Sequence, residues 1–163
     1  MVYVSPSLFE AGADGINFDT VGASGDPYFK ATLLAVEALK EKYPSMCIQT
    51  GMAGEFVLGM HGKISHNDVR LAGLYAHEQV KVAQDAGVDI FGPAINTDAT
   101  QSIVWNIARA VTFTKACVEV AKIPVHANLG MGVGDLPLCY TPPIDAVSMA
   151  SKAHLEITRL DGL

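Results

Sequence analysis

Short apolar runs take turns along this chain with longer stretches in which apolar residues recur every three or four positions. The first run, Gly15-Ile16-Asn17-Phe18-Asp19, alternates as a strand does. A Gly/Ser stretch over 22–25 follows, and Asp26-Pro27 supplies an N-cap and a first-turn proline for a helix. Phe29, Leu33, Val36, Leu39 and Tyr43 then mark one helix face, and Pro44 stops it. A second strand is predicted over 46–50, a Gly-rich loop over 51–69, and a helix over 74–86 that Gly87 closes. Asp89-Ile90-Phe91 opens a third strand, and Ile103, Ile107, Ala110, Phe113, Cys117 and Val120 mark the next helix. A fourth strand is predicted over 125–129. Thr141-Pro142-Pro143 opens a last helix whose apolar face reads Ile144, Val147, Ala150, His154 and Ile157. Asp161-Gly162-Leu163 reads as the first step into a fifth strand, and residues 7–11 as a helix tail.

A faint repeat runs through this order. Ala11-Gly12-Ala13-Asp14-Gly15-Ile16 and Ala86-Gly87-Val88-Asp89-Ile90 share a pattern of helix end, Gly, Asp and strand start, and Leu160-Asp161-Gly162-Leu163 is a partial third copy. The glycine ends a helix in the left-handed conformation, and the chain turns directly into a strand. Strict β and α alternation with short turns predicts an α/β fold with a parallel sheet. An open doubly wound sheet and a TIM-type (β/α)8 barrel both fit. Four units and the start of a fifth favour a single partial segment of about half a barrel over residues 1–163. Alone, such a half would expose two edge strands and an apolar inner face.

Composition narrows the class. Half of the 163 residues are hydrophobic and 17 % charged, which is the make-up of a packed domain rather than a disordered chain. A net charge of −6 without a basic cluster points away from nucleic acid. Apolar stretches are broken by charge or Gly before about 18 residues, so no membrane span is expected. No signal peptide is read, and Cys47, Cys117 and Cys139 lack metal or disulfide spacing, which suits reduced thiols in a cytoplasmic protein.

In a parallel β/α protein, function collects on the loops after the carboxyl ends of the strands. These loops are long and carry Asp19, then Gly51, Met52, Glu55 and His61, then Asn96 and Thr97, then Asn128, Met131 and Asp135. The opposite turns are short and plain. Asp19 and Asn96 also suit caps or Asx-turns. Glu55, beside Met52 and Phe56, suits an ammonium partner. His61, His66 and Asp68 share a loop but lack metal-ligand spacing, so no metal is expected. His126 suits a hydrogen-bonded lumen histidine and His154 a structural one. Gly130-Met131-Gly132-Val133-Gly134 does not open a helix and so is not a dinucleotide fingerprint.

The same residues carry a resemblance. Asp14 to Thr20, Gly51-Met-Ala-Gly-Glu-Phe-Val-Leu-Gly-Met-His-Gly62, Trp105-Asn-Ile-Ala-Arg-Ala-Val-Thr-Phe113, Gly130 to Gly134 and Thr141 to Val147 look like the dimethylamine:corrinoid methyltransferases of methylamine-using methanogens. The resemblance spans essentially the whole chain. It implies transfer of one methyl group from dimethylamine to the Co(I) corrinoid of a separate carrier protein, leaving monomethylamine. The corrinoid would then be presented by that partner, with no cofactor bound directly, and the full-length form is expected to be a homo-oligomer. The family's pyrrolysine lies downstream of the matched region. By their loop positions, Glu55, Asp19, Asn96 and Asn128 are the catalytic candidates, while Gly51, Met52, His61, Thr97, Met131 and Asp135 are candidates to face amine or corrinoid.

Two other readings stand beside this one. A lyase or aldolase barrel would want a Schiff-base lysine at a carboxyl end, and the lysines fall mostly on helices or loops. A truncated paralogue would serve as a non-catalytic binding or assembly module for the corrinoid protein.

Overall fold

The computed structural model describes the chain except residues 20, 23, 60, 96–101 and 128–142 and the side chains of Met52 and Ile103. A short helix α1 (Val4–Glu10) leads into β1 (Gly15–Phe18), α2 (Asp26–Lys42) and β2 (Cys47–Ala53). A two-stranded hairpin, β3 (Ser65–His66) and β4 (Val69–Arg70), interrupts the way to α3 (Ala76–Asp85) and β5 (Ile90–Pro93). Then come α4 (Ile103–Val120) and α5 (Ile144–Ala153), which passes into a π-helical turn over His154–Thr158.

Strand order decides the architecture. β1, β2 and β5 pair in parallel in chain order; Val125 continues the sheet through a parallel bridge to Phe91, and Gly162 through one to His126. The order never reverses, whereas a doubly wound sheet needs a reversal to place helices on both faces. Ile16 packs on the helix-side core, and Phe18, Ile48, Phe91 and Val125 are buried in it with Phe29, Leu33, Val36, Val80, Ala83 and Cys117. These are β/α units of a barrel wall, with helices outside. Among the described residues, no helix is long and apolar enough to cross a membrane.

The sequence repeat has a hydrogen-bonding basis. Gly12 and Gly87 end their helices at φ +102° and +101°, and Arg159 takes the same place in the third copy at φ +57°. The aspartate two positions later ties its turn to the neighbouring strand. Asp89 Oδ2 accepts the Ile48 N–H at 2.7 Å and Oδ1 the Lys40 ammonium at 2.9 Å, while Asp161 Oδ2 accepts the Val125 N–H at 2.8 Å. The Ile48 and Val125 bonds each satisfy a strand amide, and the aspartate's own N–H returns a bond to that residue's carbonyl.

Several predictions of local structure are corrected. The loop predicted from residue 51 begins later, because β2 continues through Gly51 to Ala53 past a register irregularity after Thr50. The loop also contains the hairpin, whose Asn67-Asp68 turn has φ of +46° and +64°, both left-handed as a tight two-residue turn requires. Helix α5 buries Ala146, Ala150, His154 and Thr158, while Ile144 and Ile157 are 83 % and 52 % exposed. Small residues let this face lie close on α4, and the larger isoleucines are left outside.

Candidate functional site

The inner face of the sheet mixes amides with the apolar surface expected of it. Alternation sends Ile16, Phe18, Ile48 and Phe91 toward the helices, so Gly15, Asn17, Cys47, Gln49, Ile90 and Gly92 lie on the other side. Gly15, Ile16, Asn17, Cys47, Gln49 and Ile90 line one open cleft, and Asn17 and Gln49 are register partners. Glycine makes room for the polar groups. A Cβ at Gly51 would sit 2.6 Å from Asn17 Oδ1, and one at Gly162 would sit 2.9 Å from the His126 ring. A Cβ at Gly92 would sit 3.2 Å from the Gly51 Cα. The wall thus presents two amides and an imidazole where a packed barrel interior presents Val, Ile and Leu.

A second group of residues stands just beyond the end of β2. Glu55 is 4 % exposed, and its carboxylate takes a two-point contact from Arg109 of α4: Nε donates to Oε1 at 3.0 Å and Nη2 donates to Oε2. Trp105, Arg109 and Phe113 follow one another at four-residue steps, so they share one face of α4. The guanidinium Cζ lies 5.5 Å from the centroid of each ring. The cation facing Glu55 is therefore Arg109, where sequence reading places a substrate ammonium. A forked, always-charged arginine suits a buried carboxylate better than lysine does.

The long segment after β2 divides in two. Its first part turns to α4 through Glu55, with Phe56 bridging to Tyr75 and their rings edge to face. Its second part docks on α2. His66 is buried, with Nδ1 2.9 Å from Lys30 Nζ and Nε2 3.1 Å from Glu37 Oε1, the latter poorly aligned for a hydrogen bond. Asp26, buried at the start of α2, accepts the Ile64 N–H at 3.3 Å and fills the space beside Gly62. His61 is exposed and shares a cleft with Lys63, Ser65 and Arg70.

Other predicted site residues fall as follows. Asp19 is exposed directly after β1, with its carbonyl accepting from Tyr28 at 3.5 Å. Gly51 belongs to β2, not to a loop, because the close approach of Asn17 and Gly92 outweighs glycine's weak strand preference. Asn96, Thr97, Asn128, Met131 and Asp135 lie outside the described residues, as does the Met52 side chain. His154 is buried with Nδ1 3.0 Å from the Ala150 carbonyl, the structural role read from sequence. Among the described residues, no three or more His, Cys, Asp or Glu side chains gather as a metal site, and no lysine lies on a strand.

Asn17, Gln49 and Arg109 were missed by sequence reading, although each had a signal. Asn17 and Gln49 alternate with apolar strand residues, and Arg109 sits midway between two aromatics at helical spacing.

Comparison with known proteins decides the kinship. The sequence model of one family, described as Dimethylamine methyltransferase (Dimeth_PyL), matches residues 1–163. The chain belongs to this family. Among solved structures, the dihydrodipicolinate synthase from Bacillus anthracis is similar at 13 % identity and TM-score 0.56, over 96 % of this chain and 52 % of that one. The dihydrodipicolinate synthase from Aquifex aeolicus is similar at 16 % identity and TM-score 0.55, over 99 % and 55 %. The dimethylamine methyltransferase-family chain thus spans about half the length of these structures. At such identities the likeness is one of fold: parallel β/α units of a TIM-type barrel, about half of one.

Proposed function

We propose that this chain forms the amine-facing part of a methyltransferase that passes one methyl group from dimethylamine to the Co(I) corrinoid of a separate carrier protein. The observation that supports it most is the family match over residues 1–163. In this reaction a C–N bond breaks, its electron pair stays on nitrogen, and monomethylamine leaves. The corrinoid, presented by the carrier, supplies the nucleophile.

The residues of this chain hold and aim the amine. Asn17 and Gln49 offer side-chain carbonyls on the inner face for its N–H groups. His126, on the same face, is a third hydrogen-bonding group. Glu55 and Asp19 place negative charge just beyond the strands' carboxyl ends, and the Glu55 charge is shared with Arg109. Asn96 and Asn128 are added to this set from the sequence alone.

The test is methyl transfer by the full-length protein with its corrinoid carrier, followed as monomethylamine released from dimethylamine. Glu55→Gln and Gln49→Leu are each expected to lower the rate about tenfold or more, the scale of one lost oriented polar contact. A full-length protein that releases no monomethylamine with an active carrier sinks the proposal. Unchanged turnover in both variants removes these residues from the mechanism.

A further inference from the structure

Glu55, Trp105 and Phe113 surround the head of Arg109, and their burial is unequal. The carboxylate is 4 % exposed, whereas the arginine side chain is 33 % exposed. The anion is built into the protein, and its cation sits at the mouth. Both aromatic rings lie 5.5 Å from the guanidinium carbon, within the range at which a ring face attracts a cation. A buried carboxylate beside two aromatic faces is the chemistry that recognises methylated ammonium ions: the charge meets the carboxylate and the methyl groups meet the rings. Here the chain's own side chain fills that place.

We propose that Glu55, Trp105 and Phe113 form a cage for a small methylated ammonium ion, with Arg109 as a displaceable occupant. Arginine swings on a flexible stem toward solvent, and the incoming cation replaces it against Glu55. This replacement keeps a cation against the buried carboxylate. The resident arginine weakens binding in proportion to the rarity of the open state, so removing it strengthens binding. The choice of dimethylammonium as ligand rests on the function proposed above; the cage does not.

Trp105 is the only tryptophan among residues 1–163, so within this segment tryptophan emission reports on this site. The experiment titrates wild type, Arg109→Ala, Arg109→Lys and the double variant Glu55→Gln/Arg109→Ala with dimethylammonium and tetramethylammonium chlorides at pH 8, with sodium chloride as control. Arg109→Ala is expected to show a saturable change at concentrations about tenfold or more below those wild type needs, for an arginine-out state populated at about 10 % or less. The double variant is expected to lose it. A folded Arg109→Ala protein, by circular dichroism, that responds to dimethylammonium no more than to sodium overturns the proposal. If Arg109→Ala unfolds, refolding on addition of dimethylammonium or methylguanidinium supports the cage. Failure to refold, with Arg109→Lys binding no tighter than wild type, overturns it. Cation binding without methyl transfer by the full-length protein would sink the function and leave the cage; methyl transfer without cation binding would do the reverse.

Discussion

Asp89 and Ile48 are joined by a 2.7 Å hydrogen bond from the Ile48 N–H to Asp89 Oδ2, across two neighbouring strands and 41 positions of sequence. The same carboxylate holds Lys40, and Asp161 makes the equivalent bond to Val125. The repeated aspartate is thus a strap between adjacent strands. Asp89→Ala is expected to destabilise the chain by about 1–3 kcal/mol, since it leaves the Ile48 amide without its acceptor and removes one of the two partners of Lys40. Asp89→Asn, which keeps an acceptor, is expected to cost less. Urea unfolding measures both, and equal midpoints for the two variants would show that the amide bond contributes nothing.

Arg159 occupies the place that glycine holds in the other two copies, at φ +57°. A side chain in the left-handed region costs about 1 kcal/mol. Arg159→Gly should therefore raise stability by up to about 1 kcal/mol, less the greater freedom of glycine in the unfolded chain. A lower urea midpoint in the variant would mean that the arginine side chain stabilises the turn by more than its backbone strain costs.

Gly62 has no space for a side chain. A Cβ there would lie 2.2 Å from Asp26 Oδ2 and 2.8 Å from the Ala72 Cβ. Gly62→Ala is expected to destabilise by about 1–3 kcal/mol through overpacking and to displace the His61 segment. Protease cleavage within residues 59–64 should quicken relative to wild type; an unaltered cleavage pattern and melting temperature would contradict this.

Burial pushes the Cys117 thiol up to about 12. The unfolded chain ionises this thiol near its ordinary value of about 8.5, so its folded pKa is the higher of the two. Stability from keeping it protonated is complete below the unfolded pKa and declines as pH rises from there toward 12. Cys117→Ala should flatten that alkaline decline, seen by denaturant unfolding at pH 8 and pH 10. Peptide mapping after brief alkylation at pH 8 should find Cys117 unmodified in the folded protein, and rapid labelling would refute its burial.

Some of the site was legible and some was not, for reasons that specific residues show. Glu55 could be picked out because Gly-rich bends isolate it after a strand, but its partner lies 54 positions away and no local rule links the two. Gly51 looked like loop because glycine is poor in strands. It lies in β2 because Asn17 crosses over it and Gly92 approaches it. The hairpin at Asn67-Asp68 escaped notice because its strands are two residues each, too short for a period to register. Ile144 and Ile157 suggested a helix face by hydrophobicity, while close helix packing buries Ala146 beside the expected Ala150 and His154 and leaves both isoleucines exposed.

What the sequence by itself determined is whatever depends on neighbours along the chain. The alternation of strand and helix, the proline and glycine stops, the Gly-Asp repeat and the kinship carried by its motifs are of this kind, since propensity, capping and periodicity act over a few residues. Tertiary structure alone decided that the described strands run in unbroken order, that Asn17 and Gln49 meet on the inner wall, and that the buried carboxylate faces an arginine between two rings. Those outcomes depend on which surfaces meet when the sheet curves and the helices close on it, and that energy exists only once distant segments are in contact.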